Sequence, residues 1–190
     1  MTPILGIIAS SFRSAAGPDG AYDSLATVTV PSGGLSSITF AGIPNTYKHL
    51  QIRFISRSTN TSFQQIGINM QLNSDTGSNY SRHGIFGDGA TAGATSPGTS
   101  VTSFQVGQSA SSVNNPSNLS FGAGIIDLLD YADVNKFKTV RSLTGSDING
   151  AGTMMFFSGN WRNTTAISTI TLTETSNFAQ NSQFALYGVK

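Results

Sequence analysis

Apolar and polar residues alternate one by one along several short stretches of this chain. Alternation with a period of two puts every second side chain on one face of a β-strand, and a helix does not produce it. The clearest stretch predicts a half-buried strand whose inward residues are Ile66, Ile68, Met70 and Leu72. The same pattern predicts strands with inward-facing Ala26, Val28 and Val30, with Leu50, Ile52 and Phe54, and with Ile170 and Leu172.

Two further segments are apolar on both faces. They are Met154 to Phe157 and Phe184 to Val189. A strand of this kind has cover on both sides, so each is predicted to be a central strand or a strand covered by another subunit. The pattern favours neither alternative over the other.

The segments between these strands are rich in turn-forming residues. No long amphipathic helix intervenes, which favours an antiparallel sandwich or barrel over a βαβ fold. We expect an all-β fold, an antiparallel β-sandwich of the jelly-roll kind. Asp130 to Asn135 is predicted to form a single helical turn capped by the Asp130 carboxylate. Gly87 to Ser100 is predicted to be a mobile exposed loop, because its small residues bury little area.

The domain organisation is predicted to be a short N-terminal arm and linker, residues 1–20, followed by one β-sandwich domain, residues 21–190. The arm carries four apolar residues that we expect to dock onto a neighbouring subunit or a larger particle: Ile4, Leu5, Ile7 and Ile8. Edge strands accept such a segment through main-chain hydrogen bonds. The alternative, an ordinary first strand of the same sandwich, is equally compatible with the sequence.

Charge and cysteine content exclude several classes of protein. Only 10% of the residues are charged and the formal net charge is +1, so no strong field attracts nucleic acid or an anionic membrane. The chain has no cysteine, which excludes disulfides and thiolate metal sites. The first apolar stretch is too short for a secretion signal and no segment is long enough to span a bilayer, so we expect a soluble protein without a cofactor.

Two short motifs resemble those of enzymes. Asp75 to Ser78 matches the aspartic-protease tetrapeptide, but polar residues precede it where that family has apolar ones, and a turn after the strand ending at Leu72 is favoured. Gly87 to Ala92 fits a loosened dinucleotide-loop pattern, but Gly93 and Pro97 follow where a helix would have to begin. Neither motif predicts an active site.

Carboxylates and histidines offer few other candidates. Asp127, Asp130 and Asp133 are spaced by three, unlike a calcium loop, and a solvated turn is favoured over a site for a single hard cation. His49 and His83 lie outside any catalytic pattern and are interpreted as packing or surface residues. We therefore predict no catalytic, cofactor-binding or metal-binding residue.

Trp161 is the single tryptophan of the chain and is followed by Arg162 and Asn163. A tryptophan with polar neighbours suits stacking on a sugar ring, so these three residues form a candidate glycan contact. The competing interpretation, which we favour, is that Trp161 closes one end of the sandwich core, because large aromatic side chains are mostly buried.

Six segments, taken together, resemble one known group of proteins. They are 3–11 (PILGIIASS), 49–58 (HLQIRFISRS), 73–89 (NSDTGSNYSRHGIFGDG), 126–145 (IDLLDYADVNKFKTVRSLTG), 152–172 (GTMMFFSGNWRNTTAISTITL) and 177–190 (NFAQNSQFALYGVK). They resemble virion structural proteins of tailed bacteriophages that infect cyanobacteria and marine bacteria. The likeness runs nearly end to end, and the ending from Phe184 to Lys190 is its most typical part.

The resemblance implies a β-rich, non-enzymatic protein on the outer surface of a phage particle. We expect it to decorate or cement the capsid. The alternative is a tail fibre or tail appendage that binds a host-surface glycan. The implied partners are other virion proteins, major capsid or tail proteins. Apolar residues that a single sandwich leaves over further indicate self-association, with a trimer as the expected oligomer. The resemblance implies no catalytic residue, so none is carried over to this sequence.

Overall fold

A computed structural model describes residues 20–111, 119–148 and 150–190. These residues form thirteen strands: β1 Tyr22–Thr29, β2 Leu35–Ala41, β3 His49–Ser56, β4 Gln65–Leu72, β5 Tyr80–Gly87, β6 Ala92–Ala94, β7 Gly98–Val101, β8 Phe104–Ala110, β9 Gly122–Leu129, β10 Lys138–Asp147, β11 Gly152–Trp161, β12 Thr169–Phe178 and β13 Gln183–Val189. No helix occurs in the described ranges, so none of these residues forms a helix long and apolar enough to cross a membrane.

The strands form two antiparallel sheets of unequal width. The nine-stranded sheet has the order β1-β13-β3-β9-β10-β11-β5-β6, with β7 also paired to β5. The four-stranded sheet has the order β2-β12-β4-β8. The all-β prediction is confirmed, and the two sheets are consistent with a β-sandwich. The jelly-roll connectivity remains a prediction, and the predicted arm lies almost wholly outside the described residues.

The core lies between the two sheets and follows the predicted alternation. Every second residue of β4, from Ile66 to Leu72, is buried, as are Leu50, Ile52 and Phe54 of β3. At one end of the core, Phe184 stacks on Phe54 and meets Phe178 edge to face. The half-buried strands predicted from period-two alternation in β3, β4 and β12 are therefore confirmed.

Strand β1 is less buried than predicted. Ala26 was expected to point inward, but it is exposed, and Leu25 packs against the core instead. The register with β13 shifts between Ser24 and Ala26, which marks a β-bulge. Ala26 lies after this bulge and is paired with Leu186, two residues from the Val28–Phe184 pair, so it shares the inward face with Val28 and is exposed at the edge of the sheet. Val28 and Val30 keep the predicted orientation.

The predicted helical turn at residues 130–135 is wrong. Asp130 has a φ of 47°, in the left-handed region, and the chain forms a turn closed by a hydrogen bond from the Asp133 amide to the Asp130 carbonyl. The Asp130 carboxylate caps no helix. It binds the ammonium groups of Lys48 at 2.9 Å and Lys136 at 2.5 Å. These two cations hold its pKa down at about 2.

Residues 87–100 contain strands where a loop without strands was expected. Strands β6 and β7 both pair with β5. Small residues permit this pairing, because a Cβ at Gly93 would lie 3.1 Å from the ring of Phe86. Most of the segment is exposed, as predicted. The Gly/Ala/Ser/Thr composition therefore allows close backbone approach as well as exposure.

Candidate functional site

The outer face of the nine-stranded sheet points away from the four-stranded sheet. It carries a row of large apolar side chains that no described segment covers. Ile125 of β9 is paired with Leu143 of β10, Leu143 with Phe156 of β11, and Phe156 with Ile85 of β5. Residues paired in this way share one face of a sheet and lie about 5 Å apart. The four side chains therefore form a continuous apolar row across four neighbouring strands.

A second row lies two residues further along the same strands. Ile55 is paired with Ala123, Ala123 with Gly145, and Gly145 with Met154. We call the six large side chains of the two rows the outer apolar face; they are Ile55, Ile85, Ile125, Leu143, Met154 and Phe156, and their exposed fractions lie between 43% and 63%. The small residues Ala123 and Gly145 lie between the large side chains of the second row.

A polar network borders the outer apolar face on the side of the first row. The Gln51 amide donates to Asp127, whose other carboxylate oxygen accepts from the Arg141 Nε at 3.1 Å. Arg53 donates to the Gln51 carbonyl oxygen, and its guanidinium lies between the rings of Tyr22 and Tyr187 at 4.8 and 4.9 Å. On this border Asp127 and Arg141 form an ion pair, and Arg53 is held by the Gln51 amide and the two rings.

A shallow groove continues the surface at the other end of the strands. It is lined by backbone-rich turns around Asp88 and Asp147 and by Phe121, Ala123 and Met154. The Asp88 carboxylate accepts hydrogen bonds from the amides of Ala90 and Thr91 within its own turn. The groove is therefore an extension of the outer apolar face and shows no separate constellation of reactive groups.

The candidate glycan residues are placed in structural roles. Trp161 is 1% exposed and stacks on Tyr80, with ring centroids 6.2 Å apart. Its indole nitrogen donates to the Asp75 carboxylate at 2.7 Å. Trp161 thus belongs to the core, as the favoured interpretation predicted, and offers no ring face to a sugar.

Arg162 and Asn163 shape the loop that follows Trp161. Arg162 is exposed, and its guanidinium donates to the Ser78 carbonyl at 2.7 Å. The Asn163 side chain accepts a hydrogen bond from the Thr165 amide at 2.8 Å. Both side chains therefore stabilise loop geometry, and the structure does not assemble the three residues into one open sugar platform.

The protease-like motif is a turn, as predicted. The Asp75 carboxylate accepts hydrogen bonds from the Gly77 amide, the Asn79 side chain and Trp161. These donors, the Asn79 and Trp161 side chains foremost, lower the pKa of Asp75. A carboxylate held ionised by three donors stabilises the turn and ties it to the core.

The other carboxylates and both histidines lie apart from any reactive cluster. The His49 Nδ1 accepts a hydrogen bond from the Asp130 amide, and His83 is exposed on β5. Asp130 and Asp133 share Lys136. In the described part of the chain, no group of three acidic or histidine side chains is arranged to hold a metal ion.

The four apolar residues predicted to dock, Ile4, Leu5, Ile7 and Ile8, lie outside the described residues. Their role stays a prediction. Trp161, Arg162 and Asn163 are thus the only predicted site residues for which contacts are described.

Sequence reasoning missed the outer apolar face as a whole. It identified Met154 and Phe156 as part of a segment apolar on both sides, but it did not join them to Ile85, Ile125 and Leu143. The signal was present in the strand pairing, which brings these residues together from four strands. Pairing between distant segments cannot be obtained from the alternation within each strand.

Two buried ionisable groups were also missed. Both carboxylate oxygens of Glu174 are shielded from solvent without a well-formed hydrogen bond. Burial raises the pKa of Glu174 to about 7, against a smaller lowering by the hydroxyls of Ser58 and Ser109. Lys138 is also buried and donates to backbone carbonyls of the 130–137 loop, including Asp133 and Lys136, and burial lowers its pKa.

Comparisons with known proteins identify no relative: family models, curated proteins and solved structures all gave no match to this chain.

Proposed function

We propose that this protein is a non-enzymatic structural protein of a bacteriophage virion, exposed on the particle, where it decorates or cements the capsid. The observation that carries the proposal is the outer apolar face. A fully exposed side chain of this size presents on the order of 200 Å². Six such side chains, each exposed by 43–63%, therefore leave on the order of 600 Å² of apolar surface in water.

A patch of that size lies at the upper end of what an ordinary monomer exposes. The largest apolar patch of an ordinary monomer measures roughly 300–600 Å² and marks an interaction site in many cases. The surface around it is polar but carries few charges. Assembly with other protein surfaces explains this combination better than catalysis or recognition of a charged ligand.

The order of the strands gives a second line of support. Four antiparallel pairs are nested in sequence: β1 with β13, β2 with β12, β3 with β9, and β4 with β8. Such nesting results when one long antiparallel ribbon is rolled into a sandwich, which supports the jelly-roll interpretation. Jelly rolls occur in viral capsid proteins and in lectins, so this order is compatible with the proposal without requiring it.

The proposed location on a virion rests on the resemblance to phage virion proteins. Major capsid or tail proteins are the proposed partners, and the apolar residues Ile4, Leu5, Ile7 and Ile8 are the proposed contact with the particle. The contacts of Trp161 give no support to the glycan-binding alternative. Capsid decoration is therefore the function that we put forward.

Immunogold labelling of purified particles with an antibody against this chain tests the proposal. We expect label distributed over the head and peptides of the protein in the digest of purified virions. Antibody that has been pre-absorbed with the recombinant chain is the control. Label confined to the tail would contradict capsid decoration, and absence of both label and peptides from the particles would contradict the virion proposal itself.

A further inference from the structure

The outer apolar face needs an occupant, and the structure points to a second copy of the same chain. We propose that two copies pack their outer apolar faces against each other, sheet on sheet, around a two-fold axis. This inference rests on the proposed function only in treating the face as an assembly surface. Its test uses the purified protein and needs no particle.

The shape of the face suits a copy of itself. It is the outer surface of five neighbouring strands, β3, β9, β10, β11 and β5. Four spacings between neighbouring strands make it about 19 Å wide. Flat sheet faces pack against each other at about 10 Å when their side chains interdigitate. Leu143 and Phe156 lie near the middle of the first row, and the small residues Ala123 and Gly145 leave hollows in the second row. A copy turned by a two-fold rotation can set large side chains into those hollows.

The area is close to what a stable dimer requires. A standard protein interface buries about 800 Å² on each partner. The outer apolar face supplies on the order of 600 Å² of apolar surface, and its polar border adds the remainder. The interface would have an apolar centre and a polar rim, which is the usual anatomy of such contacts.

The charges on the border permit two identical faces to meet. Asp127 is paired with Arg141 and Gln51, and Arg53 lies between two tyrosine rings. A copy therefore meets an ion pair and a guanidinium whose faces are covered by aromatic rings. The two large central side chains, Leu143 and Phe156, have no charged side chain paired with them across the strands.

A face that packs on itself requires two-fold symmetry. The arrangement is therefore a dimer, in place of the trimer expected from the sequence. The contact with the particle is then left to other parts of the chain, including the N-terminal apolar residues.

Sedimentation velocity of the full chain and of surface variants tests the dimer. We expect twice the chain mass of 19.8 kDa for the wild type at tens of micromolar. Leu143→Asn combined with Phe156→Asn should weaken association on the order of a hundredfold, because both side chains lie at the centre of the contact. A monomeric or trimeric wild type, or a dimer indifferent to these changes, would overturn the proposal.

Phe137→Asn is the matched control. Phe137 is 51% exposed, against 44% for Phe156. It immediately precedes β10, which begins at Lys138, and lies six residues or about 20 Å from Leu143. Association should stay within about threefold of the wild type in this variant. A loss of association equal to that of the double variant would show a general response to fewer exposed aromatic side chains and would overturn the assignment to this face.

An introduced cysteine distinguishes two possible occupants of the outer apolar face, a second copy and the N-terminal segment of the same chain. The protein has no cysteine, so Ile125→Cys, Leu143→Cys and Phe156→Cys each carry a single thiol. If the outer faces meet, at least one variant should form a disulfide-linked dimer under mild oxidation, while Phe137→Cys stays monomeric on a non-reducing gel. The opposite outcome is that none of the three variants cross-links more than Phe137→Cys, and that removal of residues 1–12 makes their thiols react faster with a maleimide. The chain then covers its own outer apolar face, and the proposal fails.

Discussion

The two faces of strand β11 carry the same two residue types, one methionine and one phenylalanine each. Met155 and Phe157 point into the sandwich and are 8% and 2% exposed. Met154 and Phe156 point outward and are 63% and 44% exposed. The inner pair is covered in part by the four-stranded sheet, whereas no described segment covers the outer pair. Residues 154–157 are therefore equally apolar on both sides, and the position of the second sheet decides which side is buried.

Strand β10 makes the contrast sharper. Ser142 and Thr144 are buried, although their hydroxyl groups find no hydrogen-bond partner among the described residues. Leu143 lies between them in sequence and is 52% exposed. The stability of an isolated subunit gains from the opposite placement, with leucine inside and hydroxyls outside. An outward leucine on this strand is readily explained if assembly covers it.

The largest predicted difference between the two faces is in stability. Phe157→Ala should lower the free energy of unfolding by about 3–5 kcal/mol, because it leaves a cavity between the sheets. Phe156→Ala should lower it by less than about 1 kcal/mol, since the side chain is already half in water. Urea unfolding at low protein concentration, where the chain is monomeric, measures both values. Equal losses in the two variants would contradict the assignment of inner and outer faces.

Glu174 provides a second test of the interior. Its pKa is raised from 4.5 to about 7 in the folded state. As the pH rises from 4.5 to 7, the unfolded chain loses this proton and the folded chain retains it, so the free energy of unfolding falls. The fall approaches ~3 kcal/mol and is complete above the folded-state pKa.

The matched variant for this prediction is Glu174→Gln, which keeps the shape and removes the charge. We expect it to unfold at a higher urea concentration than the wild type at pH 8 and to lose most of the pH dependence between pH 5 and 7. Identical pH profiles for the two proteins would show that the Glu174 carboxylate is solvated, contrary to its placement in the structure.

The bond between the turn and the core gives a smaller effect. Asp75→Ala removes the acceptor for the buried Trp161 indole and should cost about 1–2 kcal/mol. Asp88→Ala is the control, because Asp88 accepts amide hydrogen bonds in a similar turn but contacts no core residue. The melting temperature of Asp75→Ala should be clearly lower than that of Asp88→Ala. The reverse order would mean that the Trp161 bond adds little to stability.

The alternation of apolar and polar residues was sufficient to predict the buried face of strands whose two faces differ in polarity. Ile66 to Leu72 and Leu50 to Phe54 were placed with the correct faces inward, because their alternation is regular and their cover lies on one side. The same reasoning overestimated the burial of Ala26, which shares the inward face with Val28 but lies on the edge strand β1. It also missed the bulge between Ser24 and Ala26, which depends on the pairing with β13, more than 150 residues away in the sequence.

The candidate site was less accessible to sequence reasoning. Met154 and Phe156 showed that one strand was apolar outside as well as inside, and this left two alternatives, a central strand or a strand covered by another subunit. The remaining members of the face, among them Ile125 and Leu143, become neighbours only through cross-strand pairing. Trp161 shows the converse, because its neighbours in sequence suggested a sugar contact while its neighbours in space are Tyr80 and Asp75.

The rate of methionine oxidation on β11 tests the central claim most directly, because Met154 and Met155 report on the two faces within one chain. Peroxide converts an accessible methionine to the sulfoxide, and peptide mass spectrometry quantifies each site. At nanomolar protein, Met154 should oxidise many times faster than Met155. At concentrations where copies associate, the Met154 rate should fall several-fold towards that of Met155, and Leu143→Asn with Phe156→Asn should restore it. A Met154 rate that stays high and constant over the whole concentration range would contradict the assignment of the outer apolar face as an assembly surface.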